Sequence, residues 1–580
     1  MRPITLAIAS CFFAFLVATV LTGAQSSSAV APGSQSDSAG VMQEPGVTFR
    51  SSTRMVSVEV VARDRDGRPT TGLTSRDFQV FEQAAGWRKE KREEKIAAFR
   101  AIGITDFAEN PQNQSKLPAG VFTNHVTMQK NPVPPTILLI DGLNTDTVSQ
   151  MQIHAQMVRM LHSLPGDVPV SVLLLGHRLR MLQSFTTDPA LLKAALEKAS
   201  SLDAHDFLQI DPRDDPDALS AFLEQAPHSS QMALQALREF ELQTYASTMD
   251  MRVEETTQAL ISIARNVAGY PGRKNLLWIS SSFPISWMPD QHNFANSRDY
   301  QTKMQQVATL LGEAKIAVYP IDPTGLVTQS YFSAGTRPRA GVFDSLGRES
   351  QLLLDKRGTM DTLAEQTGGR VCAGDNDLGE CVRKAVNDSS AFYELAYYPT
   401  STVWNGEFRK IIIKTNRSGL HLAYRQGYFA RLEDIPDPKK AQAELQQAAC
   451  EDYLNATSVL FAAKRIPSDT PDIFRFNIAI SPALLSFKEV ENGGRELRLM
   501  VAVCSFDSAG KPTQLMTEPI DHKLSAEQYQ TILRMGGYPH SISMIPKKEP
   551  AAVRLLVKDL NSGHLGSVNV PLGPVAVKTN

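Results

Sequence analysis

Pro135 to Thr147 reads PTILLIDGLNTDT, and three polar side chains in it stand where chemistry is done. Thr136 to Ile140 is a short apolar run bounded by Pro134-Pro135 and by Asp141-Gly142. That is the signature of a strand buried on both faces. Asp141, Asn144 and Thr145 therefore sit at the carboxyl end of a central strand, the place where open α/β sheets bind ligands. A carboxylate, an amide and a hydroxyl there either hold a ligand or brace the loop by taking backbone N–H groups. Catalytic signatures are missing: the chain has no GxSxG elbow, HExxH, phosphate loop or GxGxxG. His154 and His177 are the acid–base partners one would look for near Asp141. Helix spacing puts His154 over the strand layer or its flank, and both read as core or surface histidines. The chain is not expected to be an enzyme.

The surrounding elements fit that placement. Thr147 and Gln150 make a capping box, and Met151, Ala155, Val158 and Leu161 form one apolar stripe of a helix. Strands follow at Val170–Gly176 and Arg180–Phe185, then a helix at Pro189–Ser200. Ser229–Ala268, without Pro or Gly, reads as one or two helices. Pro271-Gly272 turns the chain into a buried strand at Asn275–Ser280. A helix near Gln301–Ala314 leads to the strand Ile316–Ile321. A further helix, Thr359–Thr367, is capped by Gly368-Gly369 and enters a last strand at Arg370–Cys372. This alternation predicts an α/β fold over 136–390, a doubly wound, mostly parallel sheet with helices on both faces. Two insertions, 201–250 and 323–358, are expected to crowd the Asp141 face. Long loops of this kind in a compact domain are more often functional than accidental.

On either side the pattern is β. Met55–Ala62 alternates, Asp64-Arg-Asp-Gly67 is a turn, and Asp77 to Glu82 continues the β pattern, which gives a small β-domain over 49–102. Asp64 and Asp66 alone do not complete a calcium loop. Residues 103–135 read as a linker, 391–432 as a β extension, 433–465 as a helical linker and 466–580 as a C-terminal β-domain. Val501 to Thr513 echoes Val58 to Thr70. Both are an alternating strand, a Gly-containing turn, a basic residue and Pro. Two β-sandwich-like modules are thus expected to flank the central domain, and the echo is either a shared module or convergent hairpin chemistry.

At 580 residues the chain has room for about four domains. Apolar residues make up 42% and charged residues 21%, enough for each to build a core. The net charge is −2, so the basic excess of a nucleic-acid binder is absent. Arg2, an apolar run from Ile4 to Leu21 and the small residues Thr22-Gly23-Ala24 form a signal peptide over 1–24. Residues 25–48 read as a disordered linker, and no later stretch is long and apolar enough to span a bilayer. A secreted or periplasmic location follows, with no membrane span after cleavage. Cys372 and Cys381 are close enough in sequence to bridge in an oxidising compartment, or to remain two buried thiols.

The Asp141 stretch resembles the metal-binding strand end of von Willebrand factor A (VWA) domains, and its DxxNT form resembles the VWFA-related family of exported bacterial proteins. The Gly72-Leu73 to Asp77-Phe78 element carries that likeness further. So do Pro271-Gly272-Arg273-Lys274 before Leu276-Leu277-Trp278-Ile279, Leu363-Ala-Glu-Gln-Thr367-Gly368-Gly369, and Arg425-Gln-Gly427-Tyr428. The resemblance implies a degenerate metal-ion-dependent adhesion site (MIDAS). Asp141 keeps the first ligand and Thr145 the last, while Leu143 replaces a serine. Thr256 or Thr257 falls near the next ligand loop. Ser280-Ser281-Ser282 stands where an acidic residue is usual. Mg²⁺ or another divalent cation would rely there on waters and on a partner's carboxylate. Asn144, Thr257 and Ser281 are the candidates for a binding face, and the partner is expected to be another protein docking at Asp141. The family implies no established catalytic activity. The function expected is an exported VWA-like binding module for protein–protein interaction or envelope scaffolding. The alternatives are a structural envelope protein with a vestigial site or an unrecognised hydrolase. An open Asp141 face favours binding, and a sealed one favours structure.

Overall fold

The computed structural model describes residues 55–84, 91–103, 120–124, 134–145, 166, 168–201, 231–270, 272–280, 286–287, 298–322, 360–372, 378–401, 403–431, 438–451, 454–466, 473–490 and 493–572. The signal segment, the residue 25–48 stretch, the Thr147 capping box with its helix, Ser281 and the 323–358 insertion lie outside the described residues, as does the 202–230 part of the first insertion.

The central sheet has five strands, in the spatial order Ile316–Ile321, Lys274–Ile279, Thr136–Asp141, Val170–Leu175 and Leu179–Thr186. The first four run parallel, and the last closes one edge as an antiparallel hairpin partner. Cys372 adds a single parallel bridge to Ile321. Every residue of the four parallel strands is buried, which explains their nearly continuous apolar runs. Both faces are covered because side chains alternate across a strand. Leu138 and Ile140 pack with helices Pro189–Ser201 and Leu378–Ser390 on one face. Ile137 and Leu139 pack with helices Gln231–Val267 and Gln301–Glu313 on the other.

Taken whole, the chain is mixed α/β with β-sandwich-like modules, and among the described residues parallel pairing is confined to this one sheet. All the other sheets are antiparallel. The expectation of a doubly wound parallel fold is therefore too narrow for the chain as a whole.

The stretches 49–102 and 391–432, separate in sequence, pair into one module. Val56–Arg63 lies between Ala391–Tyr397 and His421–Ala423, and Ile96–Gly103 completes that sheet. Asn405–Thr415 lies between Phe78–Ala84 and Gly427–Arg431, with Lys91–Glu94 at the edge. Val58, Val60, Phe78, Val80, Leu395 and Ile411 share the core between the two sheets. The central domain is thus spliced into a β-sandwich.

The second module draws strands from both stretches read as linkers. Val121–Thr123 and Phe461–Ile466 pair with each other, and Phe474–Ile480 and Tyr538–Met544 extend that sheet. Arg495–Phe506, Pro512–Leu524, Ala552–Asp559 and Leu565–Pro571 form the facing one. Asn124 fastens the early strand: its Nδ2 donates to the carbonyls of Ala456 and Val459, and its Oδ1 accepts from Phe461 N. The echoed turns have the same geometry. Asp64 Oδ1 accepts from Asp66 N and Arg68 N at 2.9 and 2.8 Å, and Asp507 Oδ1 accepts from Ala509 N and Lys511 N at 3.0 and 2.9 Å. Gly67 and Gly510 have φ of 77° and 76°, which a side chain would strain.

Candidate functional site

Thr136–Asp141 is the strand at which the sheet order reverses. The chain goes next to Val170–Leu175 on one side and later to Lys274–Ile279 on the other. Asp141 thus lies at a topological switch point, as its sequence context implied. The site is nonetheless closed. Asp141, Asn144, Thr145, Thr256, Thr257 and Ser280 are all buried. Asp141 Oδ1 accepts from Asn144 N at 2.9 Å. Its Oδ2 accepts from Asn144 Nδ2 at 2.9 Å and from Trp278 Nε1 at 3.0 Å. The Ser280 side chain also hydrogen-bonds this carboxylate. Asn144 Nδ2 bonds Thr256 Oγ1 at 2.8 Å as well, which fastens the loop to the long helix. Gly142 N and Leu143 N donate to Leu175 O, so the loop backbone is tied to the neighbouring strand. Burial raises the Asp141 pKa above the ordinary carboxylate value, and the donors from Asn144, Ser280 and Trp278 oppose that shift.

This donor set does not fit a divalent cation. An ionised carboxylate has about four lone-pair positions, and four groups of the protein itself bond to this one. Trp278 Nε1–H can only donate, and it occupies a position a metal would need. Leu143, at the middle of the five-residue pattern, is packed into the core. Mg²⁺ demands near-octahedral oxygen coordination, which these groups cannot supply. Among the described residues no three His, Cys, Asp or Glu side chains are grouped as a metal site.

The remaining candidates divide. Thr256 joins the network through Asn144, whereas Thr257 donates its hydroxyl to Glu254 O at 2.9 Å. Ser280 reaches Asp141, and the predicted Ser281 lies outside the described residues. His177 is exposed in the turn between two strands, and His154 lies outside the described residues. Cys372 and Cys381 form a disulfide with Cα atoms 5.9 Å apart. A second bridge, Cys450–Cys504, joins residues 54 apart in sequence and was not foreseen. Trp278 is the functional neighbour that sequence reasoning missed. The available signal was an indole beside Leu276, Leu277 and Ile279 in a buried strand, since a buried Trp N–H seeks an acceptor.

No protein-family model and no curated protein matches the chain. Among solved structures it is similar to an aerotolerance-related membrane protein from Bacteroides fragilis, at 10% identity over 44% of this chain and 98% of that one, with a TM-score of 0.23. It is also similar to BatB from Bacteroides thetaiotaomicron, at 11% identity over 44% and 98%, TM-score 0.22. A third is the PilB minor pilin from Streptococcus sanguinis, at 10% identity over 57% and 90%, TM-score 0.23. Scores this low leave fold and function to be argued from the chain's own residues.

Proposed function

We propose that this is an exported, non-catalytic VWA-like module that acts by protein–protein binding or as an envelope scaffold, with its strand-end metal site converted into an internal brace. The saturation of Asp141 by Asn144, Trp278 and Ser280 carries this reading. The strand order, with its antiparallel edge and its Asp at the switch point, supports the VWA-like assignment. The signal-like N-terminus and two disulfides support an oxidising, extracytoplasmic setting. Among the described residues no helix is long and apolar enough to cross a membrane. In this reading the Asp141 face holds the domain together, and partners dock elsewhere on the molecule.

The test is thermal unfolding of the mature protein with and without millimolar Mg²⁺, Mn²⁺ and Ca²⁺, alongside Asp141→Ala. A ligand bound only to the folded state adds about 2.7 kcal/mol at a hundredfold excess over its Kd. The brace predicts no metal-dependent shift in the wild type. A shift present in the wild type and lost in Asp141→Ala returns the site to metal-dependent adhesion.

A further inference from the structure

At the opposite, amino end of the central sheet a cleft of about 210 Å³ opens between the first β-module and the α/β domain. Its polar wall includes Arg273, which precedes the Lys274–Ile279 strand, Lys315, which precedes Ile316–Ile321, and Arg425 from the loop before Gly427–Arg431. Glu59 of the first β-module lies among them, and Met55 and Ile316 supply an apolar side. We propose that this cleft binds a small organic carboxylate, held by Arg273, Lys315 and Arg425.

The cations here are not matched in the usual way. Arg273 is 2% exposed. Its Nη2 donates to Gly368 O at 2.6 Å and reaches Tyr319 OH at 3.5 Å, so its hydrogen-bond partners are neutral oxygens. Arg425 Nη2 likewise donates to a main-chain carbonyl, that of Ser57, at 2.6 Å. The Nε atoms of both are buried without a hydrogen-bond partner. A buried guanidinium normally finds a carboxylate, to which its planar fork is matched. Arg273 has none within hydrogen-bond distance, Glu59 and Asp388 acting on it only through space, and the part-buried Arg425 likewise bonds a carbonyl. Elsewhere in the same protein the buried Arg409 pairs with Glu82, and the part-buried Arg63 pairs with Asp388 through both Nε and Nη2.

Lys315 is a separate observation. It is the one non-glycine residue with positive φ among the described residues, at 58°. The left-handed position after a helix ordinarily takes Gly, as at Gly368 and Gly536. Holding a lysine there strains the backbone, and such strain collects at functional positions. The strained backbone brings its ammonium to Glu394 Oε1 at 2.6 Å and to within 3.5 Å of Glu59 Oε1. Gly312 completes the wall, since a Cβ there would meet Arg425 Cδ at 3.1 Å. Glu313 is the second acid on the wall. Burial raises the Glu59 pKa, and the neighbouring cations Lys315, Arg273 and Lys274 oppose that shift. The cleft has a volume of about seven waters, judged from about 30 Å³ per water. Its apolar side, from Met55 and Ile316, favours an organic anion over a bare inorganic one.

The experiment is calorimetric titration of the full chain with succinate, inorganic phosphate and sodium chloride at matched ionic strength. Succinate is expected to bind saturably, one per chain, and phosphate to bind at least about tenfold more weakly. Arg425→Gln and Lys315→Gly should each weaken succinate at least about tenfold, the loss of one charge-assisted contact. Lys315→Gly relieves the positive φ, so it retains a folded chain for the test even where Arg425→Gln does not. Absence of saturable succinate binding, or succinate affinity unchanged in Lys315→Gly, overturns the site. Phosphate binding as tightly as succinate overturns the organic carboxylate as its ligand class.

Discussion

At the carboxyl end of the central sheet one buried carboxylate is ringed by donors from Asn144, Trp278 and Ser280. At the amino end Arg273 and Arg425 are hydrogen-bonded to carbonyls, and both keep an unpartnered Nε beside a cleft. The first end carries the pattern that resembles a metal site; the second carries other stretches of the resemblance, Pro271 to Lys274 and Arg425 to Tyr428, and no ligand pattern. Buried polar groups in folded proteins are almost always paired, so unpaired ones call for an explanation. The contrast teaches that the state of pairing, and not the presence of a motif, separates an internal brace from a site with capacity left for a ligand.

The largest expected effect tests the saturated end. Asp141→Ala removes the acceptor for Asn144 N, Asn144 Nδ2, Trp278 Nε1 and the Ser280 side chain together. Leaving buried donors without partners costs about 1–3 kcal/mol for each group, with partial relaxation. The variant should lose roughly 3 kcal/mol or more, read as a lower urea midpoint at unchanged slope. A loss below about 1 kcal/mol means that Asp141 is not the brace. Succinate binding at the other end should be unchanged, which distinguishes local collapse from global damage.

Next comes the disulfide that ties Cys372, the residue bridged to Ile321, to the helix Leu378–Ser390. Replacing both Cys372 and Cys381 by Ser should destabilise the protein by about 2–3 kcal/mol, the chain-entropy value for so short a loop. This bridge fastens the carboxyl end of the sheet. Its loss should speed hydrogen exchange at Ile321 and Asp322 more than at Lys274 and Asn275. Equal acceleration at both ends would mean that they open as one unit. A smaller effect follows from Trp278→Phe, which removes one donor and keeps a ring. The expected cost is about 1–2 kcal/mol, and denaturant titration should place it between wild type and Asp141→Ala.

The two ends were not equally legible. Strands buried on both faces are nearly continuous apolar runs, so Thr136–Asp141, Lys274–Ile279 and Ile316–Ile321 stand out from sequence alone. A Pro and Gly boundary places Asp141 at a strand end just as clearly. What closes that end did not stand out, because Trp278 and Thr256 reach it from 137 and 115 positions further along the chain. The amino-end cluster is harder still. Arg273 and Lys274 were visible as a basic pair before a strand, but Glu59 and Arg425 meet them only because 49–102 and 391–432 fold into one sandwich. Antiparallel register between strands more than 300 residues apart, such as Val58 opposite Leu395, is set by the shared core and by no local signal. The strands at Val121–Thr123 and Phe461–Ile466 were lost for the same reason, being short and flanked by polar sequence.

Lys274 distinguishes the two ends by its pH dependence. Its Nζ is buried and donates to Ala314 O at 2.8 Å. Burial lowers its pKa from 10.5 to about 7, with Glu59 opposing and Lys315 adding to the shift. Below pH 7 the lysine is protonated in both folded and unfolded chains, and the burial penalty is present in full. Between about 7 and 10.5 the folded chain holds fewer protons on this group than the unfolded one. The slope of unfolding free energy with pH is therefore positive across that window. Lys274→Met keeps the length, removes the charge and leaves one carbonyl without its donor, about 1 kcal/mol, against which the lifted penalty acts. At pH 7 the variant should be more stable than wild type, because a fall from 10.5 to about 7 is a burial penalty well above the one hydrogen bond lost. From pH 7 to 9 the wild type should gain stability and close that gap, read as converging urea midpoints. Midpoints of wild type and Lys274→Met that stay parallel there would show that Lys274 remains charged, and that the amino end is solvated well enough to hold its cations without a ligand.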